Sequence, residues 1–174
     1  SSAFNNATRP KGKHYDYEVD SVVYALFAGV EDYGLNENFN LFADARAELI
    51  EYDYSNRMIS GNTREDGSKC GFGGCYYNRP SDRKDDFNEI SARFGLTTTF
   101  ERLNYFAQIS LGFRPPQINE AYRLQKKQNV TDLDSETLAM LEIGSRFEND
   151  TVNGTISIYQ SKKKNSIFRD AENF

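Results

Sequence analysis

Along most of this chain apolar and polar residues exchange places at every second position, a period that extended backbone has and a helix lacks. Between His14 and Tyr33, Val22, Tyr24, Leu26, Ala28 and Val30 share one face, with Val23, Ala25, Phe27, Gly29 and Glu31 between them. From Phe39 to Tyr54, Phe39, Leu41, Ala43, Ala45, Ala47 and Leu49 oppose Asn40, Asp44, Arg46 and Glu48. Further runs follow over 88–100 (Ile90, Ala92, Phe94, Leu96), from Tyr105 to Arg114 (Tyr105, Ala107, Ile109, Leu111, Phe113), around 137–147 and from Val152 onward. Six strands are therefore expected.

The connections are as informative as the strands. Those near 34–38, 101–104 and 148–151 are short and polar, whereas 55–86 and 115–136 are long, so short and long alternate. A soluble sandwich mixes loop lengths freely, but a transmembrane barrel keeps short turns on its inner rim and long loops outside. Charged residues in mid-strand agree with a barrel, because a sandwich core rejects them and a water-filled lumen does not. On this reading Asp44, Arg46, Glu48, Arg93, Gln108, Arg114, Glu142 and Arg146 line the lumen or its mouth. Tyr33, Phe39, Tyr52, Tyr54, Phe100 and Tyr105, near strand ends, fit aromatic girdles at the two interfaces. The expected fold is all-β, an antiparallel up-and-down transmembrane barrel of which about six strands are present.

Other features exclude more than they assign. With 11 Tyr, 13 Phe and no Trp, the chain is rich in strand-favouring rings. It has no run approaching the ~20 apolar residues of a spanning helix. A net charge of −5 argues against a nucleic-acid partner. The start, Ser1-Ser2-Ala3-Phe4-Asn5-Asn6, lacks an initiator Met and a secretory pattern, and is read as a cut or processed end. No nucleophile stands beside a base and no phosphate-cradling motif occurs, so neither an enzyme nor a cofactor is expected.

Gly71-Phe72-Gly73-Gly74 reads as loop. Asp132, Asp134 and Glu136 lack the glycine and the twelfth-position glutamate of a calcium loop. Cys70 and Cys75 cannot complete a zinc site with the lone His14; a small disulfide loop is the better reading, two free thiols the alternative. Lys162-Lys163-Lys164 reads as a solvated strand end, or as a lipopolysaccharide or anion contact near the outer rim. Asn129-Val130-Thr131 matches a glycosylation sequon by chance. Arg114 either faces the mouth or fixes the loop through a carboxylate.

The segment Gly112-Phe113-Arg114-Pro115-Pro116-Gln117-Ile118-Asn119-Glu120-Ala121-Tyr122-Arg123-Leu124-Gln125 resembles the strand-to-loop passage in the C-terminal half of TonB-dependent receptor barrels. Asp132-Leu133-Asp134-Ser135-Glu136 and Leu141-Glu142-Ile143-Gly144 look like that family's following strand with its Glu-x-Gly core. The stretch from Ile158 to Asp170 is similar to the next outward strand. The resemblance covers most of the chain from about His14.

It implies a barrel of roughly twenty-two strands around an N-terminal plug, in the outer membrane of a Gram-negative bacterium. Such a barrel imports a scarce nutrient such as an iron chelate, energised through TonB. The partners implied are outer-membrane lipid and lipopolysaccharide, the TonB energy-coupling protein and a small ligand. Residues 1–174 then form a partial barrel domain, with no plug or TonB box recognisable, and the chain is expected to be a fragment. A porin-like barrel, or a soluble antiparallel β-domain binding a partner through its long loops, is the alternative.

Overall fold

Residues 11–71, 73–128, 132–149 and 151–168 are described by the structure, a computed structural model. The sequon Asn129-Val130-Thr131, the chain start and Phe72 lie outside them. Six long strands, β1 (Tyr17–Gly34), β2 (Phe39–Asn56), β4 (Arg83–Phe100), β5 (Leu103–Arg114), β7 (Glu136–Glu148) and β8 (Asn153–Lys164), form one antiparallel sheet in chain order. The loops add β3 (Tyr77–Asn78), the short helix α1 (Ile118–Tyr122) and β6 (Leu124–Gln125), with β3 and β6 pairing as a second small sheet. Up-and-down order follows from the turns, since neighbouring runs joined by a few residues have no choice but to pair antiparallel. The sheet does not close, so it is an incomplete section of a barrel.

Register puts like with like. Cross-strand partners share a face, so the row Ala28, Ala45, Ala92, Leu111, Ala139 runs across five strands on the apolar side. The row Leu41, Leu96, Ala107, Ile143, Ile158 does the same nearer the short turns. These side chains stay open: Leu26 is 77 % exposed, Ile143 59 % and Ile158 82 %. A soluble protein seldom leaves so continuous an apolar face uncovered. On β2 the apolar run from Phe39 to Leu49 covers ten residue steps. That is about 33 Å along the strand, or about 23 Å of height at a 45° tilt, which matches the apolar band of a membrane barrel. Above it the same face turns charged, with Glu51 opposite Asp86 and Asp53 paired to Lys84 at 2.6 Å.

Short turns join the strands at one end. Asn36 Oδ1 accepts from the amides of Asn38 and Phe39, and Asn149 Oδ1 from those of Thr151 and Val152, so each asparagine organises its own turn. The turn read over 101–104 is tighter, only Glu101 and Arg102, with Glu101 at φ 56°. A bulge between Val30 and Tyr33 places Asp32 at φ 58°, where the Asn40 amide donates to its carboxylate at 2.7 Å.

Two expectations change. Strand β4 begins at Arg83, five residues before Asn88, because Arg83 to Phe87 pair with Tyr54 to Ile50 above the apolar band, where both faces tolerate charge. Tyr52 and Tyr54 are not girdle residues. Even-numbered positions of β2 point to the polar face, so Tyr52 and Tyr54 turn away from the apolar face that carries Tyr33, Phe39, Phe100 and Tyr105.

Candidate functional site

The eight residues expected to line a lumen all fall on the polar face, as the pairs Asp44–Arg93, Gln108–Glu142 and Arg114–Glu136 require. Arg93 donates to Asp44 at 2.8 Å and lies 5.0 Å from the centre of the Phe42 ring. Arg46 pairs with Glu48. Gln108 donates to Glu142 at 2.6 Å, and Arg146 sits 4.9 Å from the Phe106 ring.

Beneath each ring lies a glycine of the next strand, Gly95 under Phe42 and Gly144 under Phe106. The glycine makes room, the ring lies flat across it, and the guanidinium stacks on top at a fixed height over the strand. This explains the Glu-x-Gly pattern around Gly144. A Cβ there would stand 2.5 Å from Phe106 Cζ. Gly144→Ala is expected to displace both ring and Arg146 and cost about 1–3 kcal/mol, measured by denaturant unfolding of the complete barrel in lipid.

At the loop end Arg114 is the hub of an ion network. It donates to Glu136 at 2.6 Å and to Glu120 at 3.1 Å, while Lys163 reaches Glu136 at 2.8 Å and the Ile167 amide donates to the same carboxylate. Glu120 also accepts from the Gln117 amide, closing the first turn of α1. Arg114 therefore fixes the loop through carboxylates, the second of the two roles open to it. Asp132 pairs with Arg83 at 3.2 Å.

The loops themselves are built on the polar face. Tyr122 of α1, 1 % exposed, stacks on the fully buried Tyr54 at 4.4 Å and donates to Asp85 at 2.6 Å. Burial first, and that hydrogen bond second, hold its hydroxyl well above the ordinary phenol range. Strand β4 pairs with β5 only from Ala92 onward, so its stretch above Ala92 has one neighbouring strand among the described residues. A cavity of about 450 Å³ opens there, lined by Arg83, Asp85, Phe87, Tyr122, Asp134 and Ser135 among others.

Arg79, 1 % exposed, organises the other loop. Its guanidinium donates to the carbonyls of Ile59 (2.6 Å), His14 (3.1 Å), Thr63 (2.7 Å) and Arg64 (3.2 Å). Cys70 and Cys75 are joined as a disulfide, buried against Tyr77. The two loops meet through β3 and β6, through Asn78 donating to the Gln128 carbonyl at 2.9 Å, and through the Lys126 amide donating to Tyr76 at 3.0 Å. Replacing both cysteines by serine is expected to cost about 2 kcal/mol of loop stability, seen as faster proteolysis between residues 57 and 82 with the strands unaffected.

The model of the TonB dependent receptor-like β-barrel family matches residues 1–174. The chain belongs to this family. No curated protein and no solved structure matches it. TonB-dependent receptors are transporters and receptors that typically reside in the outer membrane of Gram-negative bacteria, and their general partners are TonB and a nutrient ligand. In a TonB-dependent receptor the apolar face meets lipid and the polar face looks inward.

Reading the sequence located the polar-face residues but missed Arg79, Glu120, Glu136, Tyr54 and Tyr122 as architects of the mouth. Glu136 was read only as part of the segment Asp132 to Glu136, and its contact with Arg114 depends on a register across a long loop that no turn length fixes. For Arg79, the sequence offers no signal of burial.

Proposed function

We propose that this chain is wall and outer mouth of an outer-membrane active importer, which captures a scarce nutrient such as an iron chelate on its long loops and is energised through TonB. The observation that carries the reading is the two-faced sheet. An apolar band ten residue steps high sits on one side, ion-paired polar side chains on the other, and both long loops gather at one end.

In this reading Asp44, Arg46, Glu48, Arg93, Gln108, Glu142 and Arg146 line a hydrated passage, and Arg114 braces its mouth. Lipid and lipopolysaccharide surround the apolar face. TonB acts through a region outside this section. The two long loops are joined through β3 and β6, so ligand binding to either shifts both.

The test is expression of the complete reading frame with its signal. Heat-modifiable protein in the outer-membrane fraction, and growth on a limiting nutrient that depends on the gene, support the reading. A folded product that stays soluble sinks it.

A further inference from the structure

We propose that the free edge of β4, from Arg83 to Glu89, binds a short extended peptide with basic side chains at alternate positions, added to the sheet as a further strand. This goes beyond the importer reading, because the edge holds the peptide whether or not the barrel transports it.

The sheet leaves a place for such a strand. From Ala92 to Phe100, β4 is paired on both sides, but from Arg83 to Ser91 it pairs with β2 alone. Strand β5 runs on to Arg114 against β7, and a Cβ at Gly112 would meet nothing within 4 Å, so β4 and β5 part there. Alternate residues of an antiparallel strand turn their N–H and C=O to the same side. No backbone hydrogen bond from the loops reaches Arg83 to Glu89 on the free side among the described residues. An open edge of this kind is a template for another extended chain.

The cavity of about 450 Å³ has the form that an added strand needs. A cavity over one face of a strand touches every second residue, whereas this one touches each residue from Arg83 to Glu89, so it runs alongside the backbone. Those residues span about 20 Å of strand. Pro116, Tyr122 and the segment from Asp132 to Ser135 form the far wall.

Charge selects the ligand. Both basic groups of the lining are engaged, Arg83 with Asp85 and Asp132, Lys84 with Asp53. Asp86, Glu89 and Asp134 line the same cavity and have no ion pair among the described residues. The wall therefore favours a cation. Ser135, 6 % exposed, adds a buried hydroxyl that has no hydrogen-bond partner among the described residues. Such a group is costly unless satisfied, and the amide or carbonyl of a bound peptide satisfies it. On a strand laid against β4, alternate side chains join the row of Asp85, Phe87 and Glu89, so basic residues at those positions meet the unpaired Glu89.

The complete barrel, purified in mild detergent, is titrated into a fluorophore-labelled, end-capped pentapeptide of alternating threonine and lysine, and binding is read by anisotropy. Saturable binding is expected. The same peptide with its amides N-methylated keeps its charge but cannot pair along a strand, and is expected to bind about tenfold more weakly or worse. Glutamate in place of lysine is expected to abolish binding. Glu89→Gln with Asp134→Asn, which keeps the size of both side chains, is expected to weaken the lysine peptide about tenfold and to lessen its salt dependence. Equal binding of the N-methylated peptide overturns the added strand, since charge alone then accounts for the affinity. Absence of saturable binding to a heat-modifiable barrel overturns the site and leaves the importer reading standing.

Discussion

Replacing Arg79 by alanine is expected to undo the 57–82 loop while leaving the six-stranded sheet in place. The guanidinium is the only group shared by the carbonyls of Ile59, His14, Thr63 and Arg64 among the described residues, and it also donates to Thr63 Oγ1 at 3.0 Å. Hydrogen bonds from a charged donor are worth ~1.5–3 kcal/mol each, and each buried acceptor left without one costs its desolvation. Those terms are not additive, so the loss is on the order of 3–5 kcal/mol.

It falls on the loop because Ile59, His14, Thr63 and Arg64, the guanidinium's partners among the described residues, all lie outside the six long strands. Tyr77, whose ring lies 5.2 Å from the guanidinium and 4.6 Å from His14, loses both supports of its stack. The β3–β6 pairing that joins the loops goes with it. Limited proteolysis of the complete barrel should show rapid cleavage between residues 57 and 82 while the barrel stays heat-modifiable. Arg79→Lys should fare little better, since one ammonium cannot span four carbonyls that a planar fork reaches. Protease resistance equal to the unaltered protein in both variants would contradict the hub.

The strands were legible because a side chain's face is decided by its position alone. Parity assigned Asp44, Arg93 and Glu142 to one side and Ala45, Ala92 and Ile143 to the other without knowledge of the partner strand, and the structure places them so. Hairpins followed from short polar turns. Legibility failed where that logic stops. Tyr52 and Tyr54 looked like interface rings by composition and distance from the strand end, yet parity alone already turned them inward.

Arg83 to Asp86 looked like loop because no apolar face marks them; they lie above the band, where pairing no longer demands one. The mouth was the least legible. Tyr122 on Tyr54 and β3 on β6 join residues far apart in sequence, and such contacts leave no period behind. Arginines differ for the same reason: Arg93 was placed by alternation, while Arg79, one of many polar residues in a loop, gives no sign that it is buried.

Ile109→Arg and Gln108→Arg, neighbours in sequence, are expected to separate by several kilocalories. Ile109 sits six residue steps above Leu103, near the middle of the band, between Phe94 and Leu141 on the apolar face, and is 55 % exposed. An arginine facing lipid near mid-membrane costs about 2–4 kcal/mol in a barrel. Gln108 points the other way, toward Gly95 and Glu142, and its amide donates to that carboxylate at 2.6 Å. An arginine there keeps a donor for Glu142 on the polar face, so its change should stay within about 0.5 kcal/mol.

The readout is reversible denaturant unfolding of the complete barrel in lipid bilayers, scored by the shift between folded and unfolded electrophoretic forms. The sign of the difference distinguishes the architectures. A lipid-facing Ile109 makes its arginine variant the less stable by the full penalty. A water-facing Ile109, as in a soluble β-domain, makes an arginine on that surface nearly neutral and gives the two variants the same stability. Equal stabilities in lipid would therefore refute the assignment of faces itself, because that assignment alone makes two adjacent residues of one strand respond so differently to the same charge.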